Sequence, residues 1–70
     1  MDKLYIVKRL TDGAYADVRR IADGQLQLYW DKQTFNATRL PRAKAQALAA
    51  VMAIGAAPFP ETIMIEEAQP

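Results

Sequence analysis

LYIVKRLTDGAYADVRRIADGQLQLYW, residues 4 to 30, holds two turns of the same chemistry, Thr11-Asp12-Gly13 and Ala22-Asp23-Gly24, and their loop length decides how three β-rich runs pair. Asp-Gly suits two geometries. A two-residue type I′ turn needs positive φ at both central residues, whereas a three-residue loop follows a type I turn with a left-handed glycine, a G1 bulge. The type I′ register sets Lys8, Asp17 and Arg19 on the face of Leu4, Ile6, Leu28 and Trp30. The three-residue loop opposes Leu10 to Ala14, Ile6 to Val18 and Val18 to Leu28, and sorts the faces better. It predicts a core face of Leu4, Ile6, Leu10, Ala16, Val18, Leu26, Leu28 and Trp30, interrupted by Lys8 and Arg20. The opposite, wet face then carries Tyr5, Val7, Arg9, Tyr15, Asp17, Arg19, Ile21, Gln27 and Tyr29.

Working outward, Lys3 to Leu10, Tyr15 to Ile21 and Gln25 to Trp30 read as strands from their β-branched and aromatic content, with alternation cleanest in the third. Asp31 to Asn36 is polar around Phe35 and reads either as a loop or as the turn into a brief fourth strand, with Phe35 as its apolar anchor. From Leu40 the period becomes helical. Leu40, Ala43, Ala47, Ala50, Val51 and Ile54 share one stripe, flanked by Leu48 and Met52. The helix is expected over Pro41 to Ile54, with Pro41 in its first turn, Thr38 as the nearest N-cap and Gly55 at its end. Trp30 is expected to be buried against Ala47 and Val51. Arg42, Gln46, Ala49 and Ala53 are expected to face solvent. Pro58 and Pro60 make Ala56 to Pro60 a rigid connector, with Phe59 expected to plug the end of the core. Thr62 to Glu66 alternates and reads as a last strand, returning beside the first strand or pairing with another chain; 67 to 70 reads as a loose tail. The predicted fold class is α+β, β-β-β-α-β, a single domain over residues 1 to 70: an antiparallel sheet of three to four strands with one helix on one face.

Composition narrows function by exclusion. The chain contains no histidine, no cysteine and no serine, which removes the usual general base, thiol or hydroxyl nucleophile and metal ligands together. Disulfides and cysteine-based zinc are absent as sources of stability for so small a core. Asp12, Asp23 and Asp31 are accounted for by turns. Glu66 and Glu67 are adjacent, so on a strand they point to opposite faces and form no carboxylate pair. The three glycines sit at two turns and one helix end, not in a phosphate loop. The expectation is a non-catalytic protein with no cofactor and no metal. Lacking a signal-like apolar run or a stretch approaching a membrane span, it is expected to be soluble and cytoplasmic. Net charge is +1, but all nine basic residues lie in residues 1 to 45, beside five aspartates, while residues 46 to 70 hold three glutamates and nothing basic.

The candidate partner-binding residues are Tyr5, Arg9, Tyr15, Arg19, Gln27 and Tyr29 on the wet face. In the three-residue-loop register Arg9 neighbours Tyr15, and Arg19 lies beside Tyr5 and Gln27, so the cluster either stabilises an exposed sheet by cation–π contacts or forms an interface. Tyrosine and arginine anchor protein interfaces, and the same pair stacks on bases and holds phosphates. The layout from Tyr5 to Val51, three antiparallel strands and a helix, resembles the AP2 and phage-integrase arm domains, a resemblance that implies a DNA-reading outer sheet face. In kind, a small, histidine-free, alanine-rich domain with a basic and aromatic face also resembles phage and mobile-element inhibitors of the anti-CRISPR type, which implies action by occupying a host protein's surface. The leading expectation is an inhibitor or adaptor that docks on a protein. Nucleic-acid binding through the same face and a homodimer built by edge-strand pairing are the alternatives.

Overall fold

A computed structural model describes residues 3–57 and 59–68. The chain is α+β, with strands β1 (Leu4–Arg9), β2 (Ala14–Arg20), β3 (Leu26–Asp31), β4 (Leu40–Pro41) and β5 (Ile63–Glu67) and a single helix among the described residues, α1 (Arg42–Gly55). All pairings are antiparallel. β5 runs along one side of β1, from Tyr5 opposite Glu67 to Arg9 opposite Ile63. The other side of β1 is shared: Lys8 and Arg9 pair with β2, whereas Leu4 and Tyr5 pair with the short β4. β1 and β2 therefore diverge, and the chain before α1 fills the gap. Thr38 N–H donates to the Ala16 carbonyl, and the Thr38 hydroxyl accepts from Val18 N–H at 2.7 Å. That use of Thr38 replaces the expected N-cap. α1 begins after Pro41, with no side-chain cap on its first turn.

The two Asp-Gly turns close differently. Ile21 N–H donates to the Gln25 carbonyl and Val18 opposes Leu28, the register predicted for a three-residue second loop. Asp23 and Gly24 both take positive φ, 65° and 73°, so the torsions are those of an Asp-Gly turn of the primed kind rather than a type I turn with a bulge. In the first hairpin Arg9 opposes Ala14 and Lys8 opposes Tyr15, so the loop is four residues, Leu10 to Gly13, and not three. Asp12 drives this length: its carboxylate accepts from the Arg9 guanidinium and from Ala14 N–H, while Gly13 N–H donates to the Arg9 carbonyl. One extra residue exchanges the two faces of β1 relative to β2. Tyr5, Val7 and Arg9 join Ala14, Ala16, Val18, Leu28 and Trp30 on one face; Leu4, Ile6 and Lys8 join Tyr15, Asp17, Arg19, Gln27 and Tyr29 on the other.

Both faces are partly covered. α1 packs across β1 and β5 on the face of Arg9, Trp30 and Ile63. Val7, Ala14 and Ala16 are buried there. On the far face Ile6 and Tyr15 form a small cluster with Ala37 beneath the 3₁₀ turn Thr34–Asn36 that follows β3, and Ala68 packs against it. Asp31 thus ends β3, and residues 32 to 36 form the turn that leads toward the brief fourth strand, β4. Ala37, not Phe35, is its anchor, because Phe35 is 70% exposed. Phe59 likewise stays exposed and does not plug the core. The last strand returns beside β1 and includes Glu67, while Ala68 N–H donates to the Leu4 carbonyl, so the expected tail starts later; residues 69 and 70 lie outside the described residues.

α1 is rotated from its expected orientation. Its inward residues are Ala45, fully buried, with Leu48, Ala49, Met52 and Ala53 half-buried, whereas Ala43, Ala47, Ala50, Val51 and Ile54 face solvent. Alanines surround the helix, so the apolar pattern is nearly uniform, and close packing against β1 and β5, where Val7 is buried, decides the facing. Trp30 is in consequence half-buried rather than sealed against Ala47 and Val51.

Gly13 and Gly24 each sit at φ 73°. Gly13→Ala and Gly24→Ala should each destabilise by about 1 kcal/mol, because a Cβ disfavours that torsion even with open space around it. Thermal melts of both variants check this, and midpoints equal to wild type would contradict the left-handed turns.

Candidate functional site

The six candidate residues divide between the two faces. Arg19, Gln27, Tyr29 and Tyr15 lie together on the face away from α1, and Tyr5 and Arg9 lie on the helix side. Arg9 pairs with Ala14 and not with Tyr15, whose direct partner is Lys8; Arg19 keeps Gln27 opposite it but not Tyr5. The cause is the first loop's extra residue.

On the far face Arg19 is held from both sides. Its Nε and Nη2 both lie 2.9 Å from Asp17 Oδ2, and its guanidinium carbon stands 4.5 Å from the Tyr29 ring centroid. The Asp17 side chain is only 11% exposed and the Arg19 side chain 52%, so a nearly buried carboxylate fixes an accessible cation. Tyr29 is 36% exposed, and Gln27 beside it is exposed. Tyr15 contributes differently: at 9% exposure it belongs to the small core under Ala37, with Lys8 Nζ 5.7 Å from its ring centroid. At the end of β3, Asp31 accepts from Gln33 N–H at 2.7 Å and from the Asn36 amide at 2.8 Å, which together hold its carboxyl below the usual carboxylate range.

On the helix side Arg9 binds Asp12 through Nε at 3.0 Å and Nη2 at 2.6 Å, and stands 4.2 Å from the Trp30 ring centroid. The pair forms the floor of a cleft of about 220 Å³ walled by Val51, Met52, Gly55, Ala56 and Ile63. Tyr5 lies under Arg42 of α1, 5.6 Å from the guanidinium to the ring centroid. The Arg9 hydrogen bonds, reinforced by Ala14 N–H, lower the Asp12 carboxyl from 3.8 to about 2. Because the folded value is depressed, the stability linked to this group is present above 3.8 and is lost as pH falls toward about 2. An NMR titration should find the Asp12 midpoint near 2 in the wild type and raised part of the way toward 3.8 in Arg9→Ala, where Ala14 N–H still donates to the carboxylate; a normal wild-type midpoint would contradict the bidentate pair.

Sequence reasoning missed the role of Asp17 as the buried anchor of Arg19 and the stacking of Arg9 on Trp30. The first was signalled by Asp17 and Arg19 two residues apart, on one strand face; the second depends on the loop length. Among the described residues there is no cluster of three or more acidic side chains able to hold a metal ion, and no helix is long and apolar enough to cross a membrane. The arrangement offers a pre-oriented guanidinium, an aromatic ring and an amide on an open strand pair, groups suited to recognition by stacking and hydrogen bonding. No protein-family model, no curated protein and no solved structure matches the chain.

Proposed function

We propose that this is a small non-catalytic binding protein, an inhibitor or adaptor of the kind phages and mobile elements carry, including the anti-CRISPR type, which docks on a host protein through Arg19, Tyr29 and Gln27. The observation that carries this reading is the Asp17–Arg19–Tyr29 stack. A buried carboxylate and an aromatic ring restrict a long cationic side chain before any partner arrives, which lowers the ordering cost of binding. The same contacts count against nucleic acid as the partner. Arg9 and Arg19, the arginines available to neutralise phosphates on the predicted face, are engaged by Asp12 and Asp17 and point to opposite sides of the sheet. Tyr5, Arg9 and Tyr15 take supporting roles in this reading, in the helix contact, the cleft floor and the small core.

Arg19→Ala combined with Tyr29→Ala should weaken a purified partner by at least about 100-fold, on hot-spot energies of roughly 2 kcal/mol per anchor, while circular dichroism stays native. Titrations of single- and double-stranded DNA and RNA at two salt concentrations provide the opposing arm. Little or no binding at physiological salt is expected; tight binding that falls steeply with salt would replace protein docking with nucleic-acid recognition.

A further inference from the structure

We infer that β3 pairs with β3 of a second copy, joining two sheets edge to edge. Among the described residues β3 has one neighbour, β2, and its other edge is open. The hydrogen bond from Ile21 N–H to the Gln25 carbonyl makes that pair a hydrogen-bonded one, so Arg19–Gln27, Asp17–Tyr29 and Tyr15–Asp31 follow at two-residue steps. The N–H and C=O groups of Leu26, Leu28 and Trp30 therefore all point away from β2, into the open edge. The devices that usually blunt such an edge are missing from this strand. It has no proline, no lysine and no bulge across six consecutive pairs, and its single charge is Asp31 at the end. β5, the opposite edge strand, ends in Glu66 and Glu67 and is packed by α1.

The edge is self-complementary. An antiparallel two-fold centred on Leu28 places Leu28 opposite its own copy and Leu26 opposite Trp30 of the second copy, and every outward N–H and C=O of the three residues finds a partner. On the helix-side face this covers Leu26, which is 65% exposed, with an indole. On the other face Gln27 meets Tyr29 of the second copy, an amide beside a phenol, with no like charges opposed. Beyond the strand the same register brings Lys32 alongside the Asp23–Gly24 turn of the second copy, a basic group beside an acidic one. The occupant is a second copy because the backbone pattern, the apolar pairs and the flanking charges all satisfy one symmetric register. The inference does not rest on the docking reading, although it would join two Arg19–Tyr29–Gln27 patches into one surface.

The test uses the full chain and needs no other ligand. Light scattering from micromolar to millimolar concentration should show the mass rise from 7.8 kDa toward twice that value. Over the same range hydrogen exchange should slow at the amides of Leu26, Leu28 and Trp30, while those of Gln27 and Tyr29, bonded to β2, are protected throughout. Leu26→Lys, at an exposed position, should raise the dissociation constant at least about tenfold with an unchanged circular dichroism spectrum. A mass that stays at 7.8 kDa at millimolar concentration overturns the inference. So does a dimer in which the three amides exchange as fast as in dilute protein, and that wild-type readout holds whatever the variant does to folding.

Discussion

Ile6→Ala and Val7→Ala should each lower the thermal midpoint by on the order of 10 °C, with losses of about 3 and about 2 kcal/mol respectively. Consecutive strand residues point to opposite faces, so a sheet covered on one side would show one large effect and one small one. Here both are buried: Val7 at 1% exposure on the α1 side, and Ile6 at 5% in the cluster with Tyr15 and Ala37. For a domain whose total stability is roughly 4–10 kcal/mol at this length, either loss is severe. Equilibrium denaturation of the two variants checks the pair. A near-neutral Ile6→Ala would show that the Thr34–Ala37 segment does not cover the far face.

Ala45→Leu should destabilise by about 1–3 kcal/mol, whereas Ala47→Leu, two positions along the same helix, should stay within about 0.5 kcal/mol of wild type. Ala45 has no exposed surface and faces the sheet, so added methylenes must displace neighbours or the helix itself. Ala47 is exposed, and leucine there meets solvent at little cost in helix propensity. The opposite ranking by thermal or urea denaturation would return the helix to the orientation that Leu40, Ala43, Ala47, Val51 and Ile54 alone suggest.

The residues that carried local information were legible. Asp-Gly at 12–13 and 23–24 marked both turns, Pro41 preceded the helix, and the alternation of Gln25 to Trp30 and of Thr62 to Glu66 marked two strands. Two things were not local. The length of the first loop depends on whether the Asp12 carboxylate reaches back to Arg9 and forward to Ala14, and both Asp-Gly loops read alike in sequence. The facing of α1 depends on how it packs against β1 and β5, strands distant from it in sequence, which a helix with alanine on every side does not announce. Each slip moves whole sets of residues at once. The loop carried Tyr5 and Arg9 away from Arg19 and Tyr29, and the helix rotation left Val51 and Ile54 in solvent.

The division of the tyrosines and arginines between two faces is what isolates Arg19, Tyr29 and Gln27 as the proposed docking surface. A NOESY spectrum of the protein in solution tests it most directly. The expected result is a strong Hα–Hα cross-peak between Lys8 and Tyr15, which form the close, non-hydrogen-bonded pair of the first hairpin, together with contacts from the Arg9 side chain to the Trp30 indole. An Hα–Hα cross-peak between Arg9 and Tyr15 in place of these would restore the three-residue loop, put Arg9 back beside Tyr15, and contradict the surface assigned here.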